Sequence, residues 1–254
     1  MGVFRLIVKL HFILKVFFTI YRNDRAVFML LALQLWNQEN PMNIALIGAT
    51  GFVGSAVLDE LLRRGHRVTA LARNPAKLAP REGLTVREAD AQDAAQVARA
   101  VAGHDAVVSA YNPGWTVPDI HDQFLRGTRA IIDGTKQSGL RRILLVGGAG
   151  SLFVAPGVQL VDTPQFPAEW KQGALAACEA LNWIRAEDTL DWTFLSPAIL
   201  LQPGERTGQY RLGTESPLMA GEQPGTISVA DLAVAIVDEL QTPRHVRQRF
   251  TVAY

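Results

Sequence analysis

The run Asn43-Ile44-Ala45-Leu46-Ile47 has the length and apolarity of a buried strand, and it ends in three glycines spaced G-x-x-G-x-x-G: Gly48, Gly51 and Gly54. A helical pattern starts at once, with Val53, Val57, Leu58, Leu61 and Leu62 on one side and Gly65 as a stop. A strand, a glycine turn and a helix in direct succession leave few folds open. Each glycine has its own reason to be there. Gly48 lets the chain leave the strand in a tight turn. Gly51 bares the backbone for the close approach of a pyrophosphate, and Gly54 lets the helix lie close to the sheet. The N–H groups around Thr50, Phe52 and Val53 then meet the phosphates with the positive end of the helix dipole. The competing reading is a glycine turn used for packing alone. The strand before it and the helix after it favour the dinucleotide site.

The chain has 254 residues, 48% of them hydrophobic, which supplies one sizeable α/β core and is short for two domains with linkers. The formal net charge of +1 carries no nucleic-acid footprint. Five Lys/Arg and two Asp/Glu lie in residues 1–41, leaving 20 and 22 in the remainder, so the basic excess belongs to this leader. Its apolar runs, Phe12 to Ile20 (broken by Lys15) and Ala26 to Trp36, are too short to span a bilayer. The start is basic, as in a signal peptide, but no clean small-residue cleavage site follows. Three readings of residues 1–41 stay open: an artefact of gene assignment with translation starting at Met42, an interfacial membrane anchor, or a helix packed on the domain. Membrane contact is expected only through this leader, and the protein is expected in the cytoplasm. Cys178 lies in an alanine-rich helical pattern and reads as a small core residue. The histidines His11, His66, His104, His121 and His245 lack ligand spacing, so no metal site is expected.

From Met42 to Tyr254 the pattern alternates strand and helix. Strands are expected at Asn43 to Ile47, His66 to Ala72, Leu84 to Glu88, Ala106 to Ala110, Arg142 to Val146 and Asp191 to Leu195, with a last one at Gln248 to Ala253. Helices are expected near Phe52 to Arg64, Asp93 to Val101, Asp119 to Gln137, Glu169 to Ala186 and Ser228 to Leu240. Such alternation implies a doubly wound parallel sheet of the Rossmann type, an α/β fold with ligands at the carboxyl ends of the strands. A small C-terminal subregion on the substrate side completes this single domain. Gly147 to Pro167 is too long for a plain connection. Thr207 to Gly213 reads as one arm of a small hairpin. Ser228 is placed to cap the last helix, with Asp231 three residues on reaching back to it.

A site that prefers NAD places a carboxylate at the end of the second strand to hold the ribose 2′-hydroxyl. Here that strand ends Leu71-Ala72-Arg73-Asn74-Pro75, with no acid between Val68 and Lys77. A guanidinium at Arg73 can hold a 2′-phosphate through two parallel hydrogen bonds, so NADP(H) is expected over NAD(H). The alternative is that Arg73 is only a solvated surface charge. By strand-end position, Asp90 is placed near the adenine edge, and Ser109 and Ala110 beside the cofactor.

These residues resemble a family. Gly48-Ala49-Thr50-Gly51-Phe52-Val53-Gly54, Ala72-Arg73-Asn74-Pro75, Val107-Val108-Ser109-Ala110, Leu145-Val146-Gly147-Gly148-Ala149-Gly150-Ser151, Leu195-Ser196-Pro197-Ala198 and Ile227-Ser228-Val229-Ala230-Asp231-Leu232-Ala233 are similar to the atypical short-chain dehydrogenase/reductases. That group includes NmrA-like proteins, biliverdin reductase B and a branch provisionally classed as NADH-flavin reductases. The likeness covers nearly all of Met42 to Tyr254, and residues 1–41 have no counterpart in it. It implies that Pro197, in the Ser196-Pro197-Ala198 turn, lies beside the nicotinamide.

The chain departs from the wider family at one point. Ordinary short-chain dehydrogenases use a Tyr-x-x-x-Lys pair, in which the tyrosine donates the proton. Here Lys171 is preceded four residues earlier by Pro167, and no tyrosine occurs between Tyr111 and Tyr210. Forming an alcohol from a carbonyl needs a placed proton donor. A flavin or quinone needs less, because it is a good hydride sink and water can supply the proton. Tyr111, Trp115, Phe153, Phe166 and Trp170 lie in the segments after the fourth and fifth strands, where such a small-molecule acceptor would stack; the alternative for them is ordinary packing. Ser151 and Lys171 are the weak catalytic candidates. An NADP(H)-binding redox sensor without turnover stays open, and a nucleotide-sugar epimerase or dehydratase ranks last because that chemistry leans on the missing tyrosine.

Overall fold

The apolar run before the glycine turn forms an interior strand of an eight-stranded sheet. The structure, a computed structural model, describes residues 41–254; the three readings of residues 1–41 fall almost wholly outside these. Among the described residues no helix is long and apolar enough to cross a membrane.

The elements run in the order β1 (Asn43–Ile47), α1 (Phe52–Arg63), β2 (Arg67–Ala72), β3 (Leu84–Glu88), α2 (Ala94–Val101), β4 (Ala106–Ser109), α3 (Ile120–Gln137) and β5 (Arg142–Val146). Then follow β6 (Phe153–Ala155), β7 (Val158–Gln159), α4 (Ala168–Arg185), β8 (Asp191–Ser196), β9 (Leu200–Gln202) and β10 (Arg211–Gly213). The chain closes with β11 (Met219–Ala220), β12 (Gln223–Pro224), β13 (Thr226–Ser228), α5 (Val229–Gln241) and β14 (Gln248–Ala253). The main sheet has the order β10-β14-β8-β5-β4-β1-β2-β3. All its neighbours pair parallel except β10, which runs antiparallel to β14.

Strand side chains alternate between faces with a period of two, and the core divides accordingly. Ile44, Leu46, Val108, Leu144 and Leu195 pack on one face against Val57, Leu58 and Leu61 of α1 and Leu232, Ile236 and Leu240 of α5. Ala45, Ile47, Val107, Ile143, Leu145 and Phe194 face the other way, against Val97 of α2, Ile131 of α3 and Leu181 and Ile184 of α4. This two-sided burial is why β1, β4 and β5 read as nearly unbroken apolar runs. The fold is the doubly wound, Rossmann-type sheet, in a single domain.

Two local expectations are corrected, and that of a built segment at Gly147 to Pro167 holds. Thr207 to Gly213 is not a hairpin arm: only Arg211–Gly213 is strand, and it pairs with β14 at the sheet edge. Gly147 to Pro167 carries a short antiparallel pair, β6 with β7, and short turns of 3-10 helix. At α5, Ser228 Oγ does accept from Asp231 N at 3.0 Å, but the Asp231 carboxylate does not return the bond. It accepts instead from Thr207 N, Thr207 Oγ1, Gly208 N and the Tyr254 hydroxyl. The Tyr254 hydroxyl in turn takes the Ser228 N–H at 3.2 Å. The C-terminal residue thus stands inside the cap, a contact that a local sequence window does not contain.

Candidate cofactor and acceptor site

In the sheet order, β2 and β3 lie on one side of β1, while β4 and β5 lie on the other. The crevice outside the carboxyl ends of β1 and β4 is therefore the switch point where such a sheet takes ligands. The first glycine sits there. Gly48 has φ of +87°, and a Cβ on it would come within 2.4 Å of Ala110 O, at the end of β4. A Cβ on Gly54 would lie 1.9 Å from Gly48 O, so this glycine is what lets α1 rest on the turn. Gly51 differs from both. Its φ is −88°, and the nearest protein atom to an added Cβ is Gly48 O at 3.4 Å, an ordinary contact. Nothing in the protein demands glycine at 51, and the space over it is open.

The start of α1 is also bare. No side chain caps it, and its first turn has no acid. By contrast, Asp93 accepts from Ala95 N and Gln96 N at the start of α2, and Ser228 caps α5. Unsatisfied N–H groups at a helix start suit an anion, so the residues present fit a dinucleotide's diphosphate. Thr50 and Phe52 are exposed at this turn and Val53 is half-buried.

The other residues expected at the cofactor follow the carboxyl ends of β2, β3, β4 and β8, on the same edge of the sheet. Arg73 is exposed directly after β2. Beyond it, Asn74 Oδ1 accepts from Ala76 N at 3.1 Å and fixes the bend of the chain. Asp90 is half-buried, and its Oδ1 accepts from Gln92 N at 2.9 Å, so one of its oxygens shapes the turn after β3. Ser109 is buried, with Tyr111 N directed at its Oγ, and Ala110 N donates to Ile47 O. Pro197 is buried just past β8.

The aromatics expected to meet an acceptor separate into two kinds. Tyr111 is half-buried, its hydroxyl accepting from Gln92 Nε2 and donating to Gln123 O. A Cβ on Gly127 of α3 would lie 2.3 Å from its ring, so Tyr111 is locked in a glycine notch. Burial pushes its phenol above the ordinary value, and the Gln92 hydrogen bond offsets this only in part. Trp115 and Trp170, by contrast, are 56% and 52% exposed. The Trp115 ring lies over Gly173 of α4, where a Cβ would come within 2.8 Å of it. Phe166 packs beside Val161, Ala174 and Cys178, and Phe153 lies under the Arg249 guanidinium. These two are packing residues. Burial pushes the Cys178 thiol up to about 11, which suits a core position.

Of the weak catalytic candidates, one is engaged by another side chain and the other is exposed. Ser151 is buried, its Oγ accepting from Arg249 Nη1 at 3.0 Å. Lys171 is exposed in the first turn of α4. Pro167, where the family's tyrosine would stand, is the N-cap residue of that helix. Arg249 and two of the helix glycines, Gly127 and Gly173, carry contacts that the sequence pattern did not single out. The glycines gave a signal that could have been used, since glycine inside a helix costs stability and asks for a packing reason.

Comparison with known proteins agrees with this geometry. A family model described as NAD(P)H-binding matches residues 48–243. The chain is 39% identical over 214 residues to the uncharacterized protein YwnB of Bacillus subtilis, across 83% of this chain and 98% of that one. It is 44% identical to the solved structure of a protein from Bacteroides thetaiotaomicron provisionally described as an epimerase, with a TM-score of 0.79, covering 85% and 98% of the two chains. It is 33% identical to one from Streptococcus pneumoniae provisionally described as an NADH-flavin reductase, with a TM-score of 0.73, covering 84% and 99%. The glycine turn at the switch point, bare where a diphosphate would rest, and this match over most of the described chain place the protein in the NAD(P)H-binding family of Rossmann-fold proteins.

Proposed function

We propose that this protein is an NADPH-dependent reductase of a flavin, quinone or similar conjugated acceptor, acting in the cytoplasm. The observation that carries the reading is the pairing of an intact dinucleotide cradle with an absent acid. Pro167 occupies the tyrosine position as the cap of α4, Tyr111 has its hydroxyl engaged and Ser151 is bound to Arg249. NADPH, when bound, supplies a hydride from its nicotinamide ring. The chain's own residues hold the diphosphate at Gly48 to Gly54, offer Arg73 to the 2′-phosphate, and present exposed Trp115 and Trp170 to a flat ring. Two electrons and one hydrogen pass to the acceptor, and its second hydrogen comes from water as a proton, so no protein acid is needed. Holding two rings in register is then the protein's main contribution to rate.

The test is NADPH oxidation by purified protein across riboflavin, FMN, quinones and simple carbonyls. Turnover of the conjugated acceptors and none of the carbonyls supports the reading; tight NADPH binding with no turnover of any acceptor overturns it. The same missing acid also favours a second reading, a redox sensor that binds NADP(H) and passes the signal to a partner. Equal affinity for the oxidised and reduced cofactor, with no turnover, would select it.

A further inference from the structure

Two aromatics from the β4–α3 segment sit in two helix glycines: Tyr111 on Gly127 of α3 and Trp115 on Gly173 of α4. The two seats differ. Tyr111 is half-buried and anchored by its hydroxyl. Trp115 has its ring over Gly173 yet is 56% exposed. Gly114 precedes it with φ of +120°, and Asn112 Oδ1 accepts from Gly114 N at 2.8 Å, bending the chain so that the indole reaches α4. Glycine within a helix costs about 1 kcal/mol relative to alanine, so Gly173 is a poor choice for α4 unless the space matters. An added Cβ there would press on Trp115 at 2.8 Å and on the Ile120 side chain at 3.1 Å.

We propose that Gly173 is a positioning residue for the acceptor: its missing side chain sets the height of the Trp115 indole, and that indole is the platform on which a flavin-sized planar ring stacks. This rests on the reading of a planar acceptor given above. The ring face that Gly173 holds in place is open to solvent at the carboxyl edge of the sheet, where a planar ligand can stack on it. A methyl at 173 lifts the indole without unfolding α4, because alanine is the better helix former.

The test uses binding, so that it does not depend on turnover. Riboflavin is titrated calorimetrically into the full-length protein saturated with NADP+, which cannot reduce it. Gly173→Ala is expected to weaken riboflavin roughly fivefold, within the range an aromatic stack is worth, with NADP+ affinity unchanged and Tm not lowered. Trp115→Phe is expected to weaken it similarly. In Trp115→Phe, adding Gly173→Ala is expected to cost little more, because the smaller ring clears the methyl; such non-additivity marks two residues acting as one. Wild-type riboflavin affinity in Gly173→Ala, additive losses in the double variant, or no riboflavin binding by the wild type would each overturn the proposal. Riboflavin binding with the expected pattern but no NADPH oxidation would instead leave the platform standing and remove the reductase reading.

Discussion

Gly51 and Gly54 stand three residues apart in one turn, yet a methyl group at each is expected to do different things. At 54 it would lie 1.9 Å from the Gly48 carbonyl oxygen, with backbone on both sides and no room to give. Gly54→Ala is therefore expected to lower stability by about 1–3 kcal/mol, the usual cost of forcing atoms into a packed contact, seen as a fall in Tm without ligand. At 51 the same change meets nothing closer than 3.4 Å and is expected to leave Tm alone. Equal melting behaviour of the two variants would contradict this division of roles. Arg73 belongs to the same scale. Arg73→Glu is expected to weaken NADPH by at least tenfold, about 1.4 kcal/mol, with NADH little changed; paired titrations of the two cofactors check it. Most of these residues were legible from spacing, because each glycine's role follows from a strand–turn–helix context. Ser151 was not: its partner Arg249 is 98 residues further along, and no local pattern announces such a pair.

Helices α1 and α5 are joined by a polar seam as well as by their apolar faces. Glu60 of α1 is buried and accepts from Arg63, Arg64 and Arg206. Burial alone would raise its carboxyl, but the hydrogen bonds from Arg63, Arg206 and Arg64 outweigh that and hold it far below the carboxylate range. Arg64 also reaches Asp238 and Gln241 on α5, each at 2.6 Å. His66 stands beside this seam, buried, with Nδ1 accepting from Met42 N at 3.1 Å. Burial, and then the Arg64 charge, push its pKa below the ordinary 6.5. The unfolded chain thus binds a proton near pH 6.5 that the native site resists, so His66 contributes stability that is full above that pH and is lost as pH falls below it. Stability of His66→Gln is expected to change less steeply with pH between about 6.5 and 5 than that of the wild type. Denaturant midpoints across that window measure it, and parallel slopes would contradict it. The long elements were readable because their apolar periods run for many residues. The short strands β6, β7, β9, β11, β12 and β13 have two or three residues each, too few to show any period.

For the whole molecule, the alternation of strands and helices was enough to give the doubly wound sheet, since burial on both faces forces apolar runs into the strands and apolar stripes onto the helices. What stayed hidden were contacts that close the fold back on itself: Tyr254 in the cap of α5, and the β4–α3 segment seated on the glycines of α3 and α4. Both depend on contacts between separate elements that no single stretch of sequence contains. Everything proposed for the carboxyl edge of the sheet requires a dinucleotide to lie across the Gly48–Gly54 turn. Isothermal calorimetry of NADPH binding to the wild-type protein and to Gly51→Val tests this most directly. The expected result is clear association with the wild type and at least a tenfold loss in the variant at unchanged Tm, because the valine fills open space that only the diphosphate uses. No heat of binding with the wild type, or equal affinity in the variant, would contradict it.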